Sequence, residues 1–97
     1  MAAYLLVTIK VHDPSWMDEY AANVPAIVHK HGGEYLAVSE SIKRYEGEGP
    51  DPDGIVLFTF PSMKAIDAFI SDPDYRPYKA ARLAASSSDM FGFVPRS

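Results

Sequence analysis

The side chains of this sequence that could do chemistry are Tyr20, His31, Tyr35, Tyr75, Tyr78 and Arg82. A tyrosine joins an apolar ring to a polar tip, so several on inner surfaces can line a cavity and orient a small ligand. Arginine clamps a carboxylate in a planar fork, and histidine is the commonest proton-transfer group. Together these types spell recognition of a small aromatic or carboxylated molecule, with Tyr20 and Tyr35 orienting it, Arg82 holding its anion and His31 moving a proton. The same residues have plainer uses. Tyrosines are often half-buried in cores and arginines mostly stand in solvent, while His31 falls in the last turn of a helix, where it interacts favourably with the dipole.

Other candidates reduce to structure. His29 and His31 lie about 200° apart around a helix, so they do not share a metal as an i, i+4 pair does. The run Asp51 to Gly54 lacks the alternation and distant Glu of a calcium loop and reads as a turn. Asp72 before Pro73 supplies a capping oxygen and a fixed φ, the needs of a helix start. No glycine-rich phosphate loop, nucleophile elbow or paired-histidine zinc motif occurs. Neither a metal nor another cofactor is expected.

The 97 residues are 47% hydrophobic and 23% charged, the composition of one compact domain over the whole chain. A net charge of −4, with no basic stripe interleaved with aromatics, argues against nucleic acid or anionic membrane as a partner. Cysteine is absent, so disulfides and a thiol nucleophile are excluded. The opening Met1 to Val11 is apolar but lacks a basic n-region and reaches Lys10 too early for a signal peptide or membrane span. A soluble, cytoplasmic protein is expected.

The elements that must position these side chains follow from periodicity. "YLLVTIKV", Tyr4 to Val11, alternates as a strand with Leu5, Val7, Ile9 and Val11 on one face. Asp13-Pro14 starts a helix whose stripe runs through Met17, Tyr20, Ala21, Val24, Ile27, Val28 and His31; Pro25 should bend it, and Gly32-Gly33 ends it. Glu34 to Gly47 reads as a strand bent near Ser39 to Ser41. Ile55 to Phe60 is apolar on both faces and reads as a strand buried on both sides. Ser62 caps a helix through Ile70, a further helix runs through Tyr78 to Ala85, and Met90 to Val94 forms the last strand.

This order, β-α-β-β-α-β with the second helix in two pieces, specifies an α+β ferredoxin-like plait: a four-stranded antiparallel sheet with helices on one face. The other face is left bare and apolar. Such a patch usually meets a partner, and a second copy packed sheet on sheet would cover it, so a homodimer is expected.

The Tyr4 strand, Asp13-Pro14, the Tyr20-Ala21 helix, "HGGEYL" at His31 to Leu36, "YEG" at Tyr45 to Gly47, "FPSM" at Phe60 to Met63 and "DPDY…KAAR" at Asp72 to Arg82 resemble, in order and spacing, the domain-of-unknown-function 1330 family. The resemblance spans nearly the whole chain. It implies the dimeric α/β-barrel superfamily, in which two plaits join through their sheets, and whose members include cofactor-independent monooxygenases, muconolactone-type isomerases and haem-degrading enzymes. It therefore implies an oxygenase- or isomerase-like enzyme working without a cofactor; the alternative reading of the chain is a non-catalytic small-molecule-binding or stress-associated dimeric module. The chain departs from the family pattern at Thr8, where an arginine would be expected, and at Val38, Ser39 and Glu40, where an Arg-Gly-Gly run would be.

Overall fold

Alternate residues of the first strand, β1 (Ala3–Val11), are sorted to opposite sides of a sheet: Ala3, Leu5 and Val7 are buried, while Tyr4, Leu6 and Thr8 remain partly exposed. The structure is a computed structural model and describes residues 2–96. After β1, Asp13 accepts the Ser15 N–H and opens a short 3-10 turn, Pro14–Trp16, that leads into α1 (Met17–Lys30). The helix continues through Pro25, and its Val24, Ile27 and Val28 are buried against the sheet. Each such burial stabilises the fold by about 1.5–3 kcal/mol.

Gly32, at φ 77°, reverses the chain into β2 (Glu34–Ser39). Gly33 follows, and a Cβ there would stand 2.6 Å from the Phe60 ring, so only glycine allows this approach of turn to core. Then come β3 (Gly54–Phe60), α2 (Met63–Ile70), α3 (Arg76–Ala85) and β4 (Ser86–Phe93). Ser62 caps α2 by accepting the Ala65 N–H, as its position before an apolar stripe predicts. The strands pair antiparallel throughout in the order β2-β3-β1-β4, with all helices on one face.

Several expectations need correction. The barrel implied by the family resemblance does not form: the four-stranded sheet is open, with β2 and β4 as its edges. The second strand stops at Ser39 instead of Gly47, because β3 begins at Gly54 opposite Ser39–Ile55 and offers nothing beyond to pair with. Its irregularity lies between Tyr35 and Ala37. Residues past Ser39 form a loop that Arg44 closes by donating to Asp51 at 2.9 Å and to the Gly49 and Pro50 carbonyls. The last strand begins at Ser86, four residues before the expected Met90, because its serines pair with Val11, Lys10 and Ile9 of β1. Finally, β3 is not buried on both sides: Phe58 and Phe60 are buried, while Ile55, Leu57 and Thr59 of the opposite face stay partly exposed. That bare face aligns Leu6 with Leu57 on one side and Phe91 on the other, with Phe93 stacked on Tyr4 at 5.5 Å.

Among the described residues, no helix is long and apolar enough to cross a membrane.

Candidate functional site

Between the helices and the inner face of the sheet lies a cavity of about 260 Å³. Leu5, Val7 and Ile9 of β1 and Val56 and Phe58 of β3 supply its floor. Ala21 and Pro25 of α1 border it too; the proline has no N–H to give the Ala21 carbonyl four residues earlier. Aromatic rings dominate the walls.

Tyr20 reaches the cavity from the second turn of α1, one turn beyond Trp16, and the two rings meet edge to face at 5.2 Å. Its hydroxyl lies 2.8 Å from that of Tyr75, which sits in the short link between α2 and α3 and is fully buried. Phe69 stacks on Tyr75 at 4.5 Å and fixes that ring. Tyr35 of β2 leans on Phe58 at 4.6 Å. Two turns into α3, Arg82 reaches back beneath these rings, donating through Nη2 to the Tyr75 hydroxyl at 3.5 Å and through Nη1 to Ser88 Oγ.

Arg82 is the one charged residue among those lining the cavity, and it is only 4% exposed. Among the described residues it pairs with no carboxylate, and its Nε has no partner. Taking a guanidinium out of water is unfavourable by several kcal/mol, and here hydroxyl groups alone offset it. Burial is the main cause raising the Tyr20 phenol far above the ordinary range, with Tyr75 adding to it, and burial pushes Tyr35 up to about 12. Both phenols are therefore neutral hydrogen-bonding groups near neutral pH, not bases.

The structure thus brings together Tyr20, Tyr35, Tyr75 and Arg82 and leaves two candidates outside. Tyr78 packs against the core without lining the cavity. His31 is not among the lining residues either: its Nε2 donates to Asp72 at 2.7 Å, and its ring lies edge-on to Phe69. The expectation that His31 moves a proton in the cavity has no geometric support here. Trp16 escaped the sequence reading; the available signal was a lone tryptophan four residues before Tyr20, on the same helical stripe. Val38 lines the cavity with hydrocarbon, whereas Thr8 belongs to the bare face of β1.

Residues 2–93 match the family described as domain of unknown function (DUF1330). The chain belongs to that family. No curated protein matches it. Among solved structures it is similar to a protein of unknown function from Rhodopseudomonas palustris, at 18% identity and TM-score 0.83, over 99% of this chain and 83% of that one. It is also similar to SnoaB, a cofactor-independent oxygenase from Streptomyces nogalater, at 18% identity and TM-score 0.70, over 99% of this chain and 94% of SnoaB. A dimeric ferredoxin-like protein of unknown function from Jannaschia sp. CCS1 shares 17% identity at TM-score 0.71, over 98% of this chain and 100% of that one. At such identities the likeness establishes the ferredoxin-like fold of the DUF1330 chain and leaves its chemistry to be argued from its own residues.

Proposed function

We propose that this chain binds, between its helices and sheet, a small and largely apolar aromatic molecule carrying one acidic oxygen, and that it does so as a homodimer. The observation that carries the binding site is Arg82: a buried guanidinium without a carboxylate, bordering an apolar cavity. A ligand carboxylate, phenolate or enolate supplies the missing negative charge. An oxygen that accepts from Arg82 has its own proton to give, so the order Arg82 to Tyr75 to Tyr20 leaves the Tyr20 O–H to meet the ligand, while Tyr35 bounds the ring on the β2 side.

Of the two enzyme classes, the site suits cofactor-independent oxygenation better than isomerisation. Moving a proton between two carbons needs a base, and neither carboxylate nor imidazole is among the residues lining the cavity. Arg82 instead suits a phenol or enol that enters already ionised, its proton left in the solvent, an electron-rich anion that can give an electron to dioxygen without a base in the cavity. The likeness to SnoaB supports this at the level of fold. The same lack of a base favours a second reading, a binding module without turnover.

The homodimer is supported by the bare apolar face of Leu6, Leu57 and Phe91 and by the dimeric Jannaschia protein. A stable interface of this kind buries at least about 1,200 Å² in total.

Thermal shift with a panel of aromatic acids and phenols tests the site, since a ligand of the folded form raises Tm by mass action. Acidic aromatics are expected to raise it and neutral isosteres not. Oxygen consumption with the compounds that bind then separates enzyme from binding module. Absence of any shift across the panel would overturn the site.

A further inference from the structure

We propose that the site takes an acid with an apolar arm on each side of its carboxylate, an aromatic arm in the cavity and an aliphatic one in a groove outside it. This rests on the reading of the cavity as a ligand site and of Arg82 as the partner of the ligand's anion. The groove, of about 380 Å³, lies between α2, α3 and the edge strand β4. Met63, Ile66, Ile70 and Leu83 wall it, and Gly92 lies in it opposite Leu5 in register. Asp67 and Lys79 also border it, Asp67 exposed and Lys79 half-buried. Leu5, Arg82 and Met90 line both the groove and the cavity.

Arg82 stands on that boundary. Its Nη2 donates to the hydroxyl of Tyr75, a residue of the cavity wall, and its Nη1 to Oγ of Ser88, a residue of the groove. A carboxylate paired with this guanidinium therefore sits where the two spaces meet, and the carbon bearing it can send a substituent into each. Two methionines make the wall adaptable there. Met90, in the partition, is only partly buried, and Met63 lies over Gly92, where a Cβ would come 3.3 Å from its methyl. Unbranched thioethers repack around what they meet. Size points the same way. Ligand sites commonly offer roughly 300–1,000 Å³; the cavity by itself, at about 260 Å³, falls below that range, whereas cavity and groove together fall within it.

Calorimetry compares 3-phenylpropanoate with the two enantiomers of 2-butyl-3-phenylpropanoate. Wild type is expected to bind one enantiomer at least about tenfold more tightly than the unbranched acid, the effect of burying a short alkyl chain. Gly92→Leu puts a side chain into the groove against the movable tip of Met63, and is expected to cancel that gain while binding 3-phenylpropanoate as wild type does. The methionine methyls report position independently, since Met17 lines the cavity and not the groove, and Met63 the groove and not the cavity. In a proton–carbon correlation spectrum the unbranched acid is expected to move Met17 and leave Met63, and the tighter butyl acid to move both. That readout stands even if Gly92→Leu fails to fold. No gain in wild type, an equal gain in Gly92→Leu, or a Met63 methyl unmoved by the bound butyl acid would overturn the inference and leave the cavity as a site for unbranched acids. Failure of all three acids to bind, or binding that leaves Met17 unmoved, would overturn the cavity reading and the inference together.

Discussion

His31 donates through Nε2 to Asp72 Oδ2 across 2.7 Å, tying the end of α1 to the break between α2 and α3. A carboxylate only accepts, so the imidazole carries its proton on Nε2. Lys30 reaches the same oxygen at 2.9 Å, and the other oxygen accepts the Asp74 N–H at 2.8 Å. Asp72 therefore does more than turn the chain before α3. Its side chain, only 3% exposed, joins the end of α1 to the link between α2 and α3.

This arrangement has a pH signature. The bond from His31, then those from Lys30 and the Asp74 N–H, hold the Asp72 carboxyl well below the usual carboxylate range. An unfolded Asp titrates near about 3.9, so the stabilisation is fully present above that pH and is lost as pH falls through the lower folded value. Asp72→Asn is expected to melt below wild type at neutral pH, with the gap narrowing as the medium is acidified below about pH 4. Melting curves across the acid range check it; a constant gap would mean that the ionised carboxylate is not what stabilises the fold.

Arg82 should be worth more to ligand than to fold. Replacing a buried charge that lacks a carboxylate with an apolar side chain of similar length removes a desolvation penalty. Arg82→Met is expected to melt no lower than wild type while losing the thermal shift from aromatic acids. A marked drop in Tm would instead make the guanidinium a structural strut between Tyr75 and Ser88.

The Tyr20 hydroxyl offers an alkaline counterpart. Its folded pKa is raised, whereas an unfolded Tyr ionises near about 10, so its contribution is complete below that pH and fades as pH climbs toward the folded value. Tyr20→Phe is expected to lose about 1 kcal/mol at neutral pH, the worth of one hydrogen bond. Above about pH 10 its Tm should fall less steeply than that of wild type. Circular dichroism melts at stepped alkaline pH make the comparison.

For the bare sheet face, Leu6→Glu is the sharpest probe, because Leu6 stands between Leu57 and Phe91 in register. The variant is expected to keep its far-ultraviolet spectrum, since the position is partly exposed in the single chain, and to sediment as a monomer at micromolar concentration where wild type sediments as a dimer. Wild type sedimenting as a monomer would remove the dimer altogether.

How far the sequence could be read varied with the range of the interactions. The alternation of β1, the Ser62 cap and the Gly32-Gly33 reversal are local signals, and each element stands where its own residues place it. The strand limits are set by partners: β2 ends where β3 runs out, and Ser86 to Ser88 become strand only because β1 lies alongside. The site divides in the same way. Tyrosines with an arginine mark the cavity through their side-chain chemistry, but the place of His31 on a helix says nothing of its partner, which lies 41 residues on.

The strand β1 carries two surfaces in nine residues, and it does so by parity. Odd positions from Leu5 to Ile9 line the cavity, and even positions from Tyr4 to Thr8 form the bare face. Each surface can change without touching the other through point substitution, but not through a change of length. One residue inserted between Leu5 and Leu6 would invert the phase of everything beyond it, presenting Leu6 and Thr8 to the cavity and Val7 and Ile9 to the outside. A substitution on one face of β1 therefore leaves the other face in place, while insertions are accommodated in loops such as that closed by Arg44.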